Sequence, residues 1–160
     1  MSAQKQVNPS PRSSGVGIAL QRFFMRVHIF FYRLTDGVIG GNLAGHPMLL
    51  LTTIGRKSGR ERITPIFYFA DGDRFVLIGS NGGAAEHPQW WRNLQMHPQA
   101  HIQVGRKHIA VTASLATGAE RQRVWSLVTS RYHEFVAYQK RTIREIPVVV
   151  FTIDKEEEER

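Results

Sequence analysis

The densest concentration of reactive polarity in the chain is TTIGRKSGRER, Thr52 to Arg62, where Arg56, Lys57, Arg60 and Arg62 place four cations within seven residues. Guanidinium forks and an ammonium group, beside backbone N–H donors that Gly55 and Gly59 leave open, suit phosphates and carboxylates. The segment is not a Walker loop, because Lys57-Ser58 lacks the glycines that such a loop needs. A solvated basic turn would read the same way in isolation. A second candidate is IGSNGGA, Ile78 to Ala84, where Ser80-Asn81 and a glycine pair lead out of an apolar run. Glycines there let a flat ligand approach the backbone, and N–H groups at the turn can meet an anion, although a plain strand-to-helix connection needs the same residues.

Trp90, Trp91 and Asn93 fall on successive faces of one short helix, so at least one Trp is expected near the surface or along a cleft. Tyr132, His133, Phe135 and Tyr138 form a later aromatic group that fits either a pocket wall carrying hydroxyls or ordinary helix packing. Other chemistries are disfavoured. The chain has no cysteine, which removes disulfides, thiolate ligands and cysteine nucleophiles and fits a reducing cytoplasm. His97 and His101 are four apart, but Pro98 breaks the helix that would align them, so no metal is expected. No G-x-S-x-G elbow is present and carboxylates are sparse, so hydrolysis is a poor fit. A basic loop, a glycine turn and an aromatic wall suit holding a polyanionic redox coenzyme better than supplying acid–base chemistry.

The elements that must position these groups come from a chain of 160 residues, enough for one domain. Residues 1–17, rich in Pro, Ser and Gly, read as a flexible leader. A helix is expected from Ile18 to Leu34, with Leu20, Phe23, Phe24, Val27, Phe30, Phe31 and Leu34 on one side and Gln21, Arg22, Arg26 and Arg33 mostly opposite. Strands follow at Met48–Thr53, Ile63–Ala70 and Arg74–Ser80, the last two forming a hairpin across Asp71-Gly72. Pro88 and Pro98 bracket a short helix, and a second hairpin joins Ala100–Val104 to His108–Leu115 through Gly105-Arg106-Lys107. Thr117 and Glu120 form a capping box that opens a helix continuing, broken, to about Tyr138. The β-branched run Ile146–Ile153 reads as a strand buried on both faces or closing a barrel. Six strands with few helical interruptions predict a small closed or split barrel, one domain over residues 18–154 with an acidic tail at 155–160.

The formal net charge is +8, and because the tail sets two positives against four glutamates, residues 1–154 carry +10. Such a body attracts nucleic acid, a lipid surface or a polyanionic cofactor equally well. The apolar stretch Phe23 to Leu34 is interrupted by Arg26, His28 and Arg33, so it is neither a membrane span nor a signal peptide.

Three segments, LLLTTIGRKSGRERITPIFYF, GSNGGAAEHPQWWRNLQMHP and IPVVV, together resemble the deazaflavin (F420)-dependent nitroreductase and quinone reductase family over nearly all of residues 18–153. The resemblance implies a mainly β, α+β fold, a split β-barrel of about six antiparallel strands with peripheral helices, like FMN-binding barrels. It also implies coenzyme F420, whose tail carries a phosphodiester and several glutamates and whose ring gives hydride from C5. The acceptor would be a quinone, nitro compound or activated enone. By similarity, Arg56, Lys57 and Ser58 meet the phosphate or glutamate tail with Arg62 assisting, while Ile63, Thr64, Pro65, Ile66 and Phe67 pass along the ring. Ile78, Gly79, Ser80 and Asn81 approach the deazaflavin head, and Gln89, Trp90, Trp91, Arg92 and Asn93 line the coenzyme cleft. Tyr132, Phe135 and Tyr138 shape the substrate pocket, Phe135 also beside the coenzyme, with Ser80 hydrogen-bonding the acceptor and Tyr132 or Tyr138 donating a proton. Phe135 stands where nitroreductase-type members have tyrosine, and Asn81 where they commonly have lysine, so nitro-compound reduction is the less expected activity.

Rival readings keep the barrel and change its ligand: FMN in place of the deazaflavin, a coenzyme carrier without turnover, or a nucleic-acid-binding barrel, although no nucleic acid is expected as partner. The helix at residues 20–34 has a membrane-associated analogue in quinone-reducing members of the family. Alternatively, Phe23, Phe24, Phe30 and Phe31 cover one barrel opening. The expected location is cytoplasmic, peripheral on the inner face of the cell membrane, and the chain is expected as a monomer or homodimer.

Overall fold

In the computed structural model, which describes residues 15–155, the chain runs α1 (Gly15–Leu34), β1 (Asn42–Leu43), β2 (His46–Ile54), β3 (Glu61–Phe67), β4 (Phe69–Asp71), β5 (Arg74–Ile78), α2 (Gln89–Met96), β6 (Gln99–Val104), β7 (Lys107–Leu115), α3 (Gly118–Arg131), α4 (Glu134–Lys140) and β8 (Val148–Ile153). The sheet is antiparallel throughout, in the order β3-β2-β6-β7-β8-β5-β4, with the short β1 also on β2. Its two end strands, β3 and β4, are separated in the chain by Tyr68 alone, so the sheet curls into a split barrel. Pro65 is tolerated in β3 because an end strand leaves one edge without ladder bonds, and proline has no N–H to give.

The expected hairpin between Ile63–Ala70 and Arg74–Ser80 is only partly formed. The first run breaks at Tyr68: β3 pairs with β2 from Met48↔Phe67 to Ile54↔Glu61, and only β4 returns along β5. The Asp71-Gly72 turn governs its own short arms, whereas the apolar pairing of Leu49 to Leu51 with Thr64 to Ile66 claims the rest. Strand β8 is buried on both faces as its composition requires. Val149 and Phe151 join Leu49, Leu51, Leu77, Trp90, Trp91 and Leu94 inside the barrel, while Val148 and Val150 join Val76, Ile78, Val124, Val128 and Phe135 under α3 and α4.

The capping box at Thr117 is absent: the Thr117 side chain makes no cap hydrogen bond, and Glu120 accepts from Arg74 Nη1 at 3.1 Å instead. That ion pair joins α3 to the β4–β5 hairpin. Asp71 adds a bidentate pair with Arg123 at 2.9 and 2.8 Å and a bond from Arg74 at 2.7 Å, which hold its carboxyl well below the usual carboxylate range.

Helix α1 starts at Gly15, so Gly15 to Gly17, read as leader, are helical; residues 1–14 and 156–160 of the expected leader and tail lie outside the described residues. Its one buried side chain is Tyr32. The Tyr32 hydroxyl lies 3.1 Å from Met48 O and 3.2 Å from Gln103 O and accepts from Gly105 N–H at 3.1 Å, which pins the helix end to β2 and β6. Phe23, Phe24, Phe30 and Phe31 do not cover a barrel opening: they are 60, 61, 60 and 41% exposed and face outward.

Candidate active site

The basic segment is the tip of the β2–β3 hairpin. Gly59, at φ +68°, lets the tip close, and the turn then uses its own donors: Gly55 N–H gives to Arg60 O and Gly59 N–H to Gly55 O, both at 2.8 Å. The glycine N–H groups expected to meet a ligand are therefore spent inside the loop, and anion binding falls to side chains. Ser58 Oγ accepts from Arg62 Nη2 and Arg60 N–H, each at 3.3 Å. Arg56 Nη1 donates to Gln89 Oε1 at 2.8 Å and Asn93 Oδ1 at 3.1 Å, while its backbone N–H also reaches Asn93 Oδ1 at 3.2 Å. Asn93 is itself buried and fixed by its Nδ2 donating to Thr53 Oγ1 at 3.2 Å. Neutral amide oxygens thus aim the Arg56 guanidinium without cancelling its charge.

The glycine turn after β5 is held from behind. Gly79 N–H donates to Pro147 O at 2.9 Å, and a Cβ there would stand 2.5 Å from Pro147 Cγ. Asn81 takes φ +47°, a conformation asparagine tolerates, and its Nδ2 donates to Glu86 O at 3.0 Å. The residue that organises the turn is one the sequence reading missed, Arg144. Its guanidinium donates to Gly79 O at 3.1 Å, Ser80 O at 2.7 Å and Ala84 O at 2.9 Å, and Nη1 lies 3.0 Å from His87 Nδ1. No local pattern in RTIREIPVV marks that arginine as different from its neighbours.

Burial first, then the charges of Arg144 and Arg92, lower the His87 pKa below the ordinary histidine value of 6.5. His87 is accordingly neutral near pH 7, and Nδ1 accepts from Arg144. The unfolded chain binds this proton more readily than the folded one, so stability rises with pH up to about 6.5 and is lost as pH falls below it. The melting temperature of His87→Asn is expected to fall less than that of the wild type between pH 7.5 and pH 5. Parallel curves would remove His87 from the acid response.

These parts enclose a cleft of about 1750 Å³. Strand β3 runs along it from Arg62 to Phe67, about 16 Å at the rise of an extended strand. Arg56, Lys57, Ser58 and Arg62 stand at one end, and Ile66, Phe67, Phe69, Ile78, Trp90 and Phe135 give an apolar other part. Ile63, Thr64, Pro65, Ser80, Asn81, Gln89 and Asn93 also line it. Five of the predicted residues are not brought to its surface. Gly79 is packed under Pro147, Trp91 is 6% exposed in the barrel core, and Arg92 pairs with Glu86 at 3.8 Å. Tyr132 packs between His46 and Phe69, with ring centroids 4.3 and 5.1 Å away, and Tyr138 packs edge-on to Phe135 at 5.8 Å. Both tyrosines buttress the apolar wall from behind. The cleft also gathers residues that local reading did not assign to it, among them Phe69, Glu86 and His87. A long site, cationic at one end and apolar at the other, fits a ligand with an anionic tail and a flat head.

Over residues 24–153 the chain matches the family model of the F420H(2)-dependent quinone reductases. An F420H(2)-dependent quinone reductase of Mycobacterium tuberculosis (strain ATCC 25618 / H37Rv) is 38% identical over 141 residues, 86% of this chain and 92% of that protein. A solved F420-H2 dependent reductase superposes with a TM-score of 0.61 at 34% identity, over 66% of this chain and 94% of its own. A domain-swapped dimer superposes with a TM-score of 0.63 at 30% identity, over 86% of this chain and 96% of its own. With the family matched across the barrel and the cleft shaped for such a ligand, the chain belongs to the F420H(2)-dependent quinone reductase family and is an oxidoreductase that uses coenzyme F420.

Proposed function

We propose that the protein reduces a quinone to its hydroquinone with reduced F420, and that one cleft serves both coenzyme and acceptor. The observation that carries this reading is the union of a cationic end and an apolar part along β3. When bound, the coenzyme supplies the hydride from C5 of its deazaflavin ring. Arg56, Lys57, Ser58 and Arg62 hold its anionic tail, and Ile66, Phe67, Phe69, Ile78 and Phe135 exclude water from the reacting region. Walls that hold the acceptor about 3–3.5 Å from the donor atom convert an encounter into a positioned reaction.

Ser80 lines the cleft, and its hydroxyl has no hydrogen-bond partner among the described residues, so it is free to donate to the acceptor oxygen. Reduction also consumes one proton. Tyr132 and Tyr138 pack against Phe69 and Phe135 and do not line the cleft, so they support its apolar wall, and Ser80, which does line it, passes this proton from solvent to the acceptor oxygen. Phe135 and Asn81 favour quinones over nitro compounds by the family pattern. The deciding experiment is titration with F420 and with FMN at near-physiological salt, following quenching of Trp90, then turnover with menaquinone. Micromolar or tighter F420 binding with FMN ignored is the expected result. A protein that binds FMN and not F420 sinks the reading.

The outward face of α1, with Leu20, Phe23, Phe24, Phe30, Phe31 and Leu34 exposed, lies on the lipid surface into which quinones partition. Among the described residues no helix is long and apolar enough to cross a membrane. The F23S/F24S double variant is expected to pellet with anionic vesicles at least about tenfold less well, since each phenylalanine contributes about 1.5–3 kcal/mol when fully buried. Its F420 affinity stays the same, because neither residue lines the cleft. Undiminished pelleting would remove the membrane role. A stable dimer in sedimentation velocity, persisting with vesicles present, would assign the face to a second copy of the chain.

A further inference from the structure

We infer that α1 is a wall of the coenzyme cleft and that Arg22 and Arg26 hold the anionic tail together with the basic hairpin. The inference rests on the proposed coenzyme and adds a second set of residues to its site. Ile18, Gln21, Arg22, Met25, Arg26 and Ile29 line the same cleft as Arg56, Lys57 and Arg62. Spaced three and four apart, they occupy one helical face. The opposite face carries Leu20, Phe23, Phe24 and Phe31, all exposed to solvent. Helix α1 therefore turns the mixed side that carries Arg22 and Arg26 toward the cleft and leaves its phenylalanine face outward, unlike a helix that buries its most apolar side on a core.

The charges of the cleft do not balance. Arg22, Arg26, Arg56, Lys57 and Arg62 line it against two carboxylates, Glu61 and Glu86, and Glu86 is already shared with Arg92 at 3.8 Å. His87, the remaining titratable group of the lining, is neutral near pH 7. Among the described residues neither Arg22 nor Arg26 has a hydrogen-bond or ion-pair partner. Two unpaired guanidinium groups, one turn apart and in the same cleft as a second cationic cluster, repel each other until a ligand with several negative charges enters. A chain-like tail of phosphate and carboxylates supplies them. The helix can also adjust to it, because α1 is pinned near its C-terminal end by Tyr32 and by His28 Nε2, 3.0 Å from Gly40 O, while none of its first seventeen residues is buried.

The test compares two ligands on two proteins: F420, and the deazaflavin riboside that lacks phosphate and tail, each titrated against the wild type and the R22Q/R26Q variant. The variant is expected to bind F420 at least about tenfold more weakly, with a flatter dependence on salt, and to bind the riboside as the wild type does. Its melting temperature stays the same, because both side chains are exposed and unpartnered, and R22K/R26K recovers most of the affinity. Equal F420 affinity in wild type and variant overturns the proposal, as does an equal loss for both ligands. Loss of vesicle binding with F420 affinity intact overturns it too, by giving the arginines to lipid headgroups. A wild type that binds neither deazaflavin overturns the coenzyme reading itself, an outcome distinct from these.

Discussion

The Arg56→Ala variant is expected to bind F420 about thirty- to 150-fold more weakly than the wild type, the equivalent of the roughly 2–3 kcal/mol carried by hydrogen bonds to a charged group. The geometry makes this large. Gln89 and Asn93 hold the guanidinium through neutral oxygens, so its orientation is prepaid and its charge is left for the ligand. Stability should change little, because Asn93 keeps its bonds to Thr53 Oγ1 and to the backbone N–H of residue 56. Isothermal titration of F420 together with thermal unfolding separates the two effects. An unchanged affinity would move the tail away from the hairpin, whereas a large drop in melting temperature would mean that Arg56 is structural. Asn93→Leu offers a useful comparison: it removes the aiming contact while leaving Arg56 in place, so affinity falls through position rather than charge.

Arg144→Gln should have the largest effect on stability, about 3 kcal/mol, since it strips charge-assisted hydrogen bonds from several partly buried acceptors at once. For a domain of this size that corresponds to a melting temperature lower by about 6–12 °C. Glutamine cannot span Gly79 O, Ser80 O, Ala84 O and His87 Nδ1 as the guanidinium does. Arg144→Lys is expected to fare nearly as badly, because an ammonium group is a point donor and cannot reproduce a planar fork. Both variants should also weaken coenzyme binding, because the turn that carries Ser80 and Asn81 loses its support. A melting temperature within 1 °C of the wild type would mean that the bonds of Gly79 to Pro147 and Gly83 to Ser80 hold the turn unaided.

Much of the barrel was legible because its signals are local. Alternating and β-branched runs located the strands, Gly105 located the β6–β7 hairpin, and the clustered cations located the hairpin tip that forms one end of the cleft. The failures are of a different kind. The Thr117–Glu120 spacing satisfied a capping rule, yet Glu120 found a better partner in Arg74, 46 residues away. Trp90 and Trp91 looked alike along the helix, but both are buried and only Trp90 meets the cleft.

What the sequence determined by itself was the inventory: where helices and strands form, that the body is basic, and which segments could meet an anion or a flat ring. It also determined that α1 has two unlike faces, because residue type and the helical period suffice for that. Only the tertiary structure decided which face turns inward, that β3 pairs with β2 rather than β5, that the loop's glycine donors are consumed, and that Arg144 supports the site. The physical reason is range. Propensity and periodicity act within about a dozen residues, whereas Arg56 meets Asn93 across 37 positions, Arg144 meets Ser80 across 64, and Tyr32 meets Gln103 across 71. Such contacts come into being only when the curled sheet brings distant segments together.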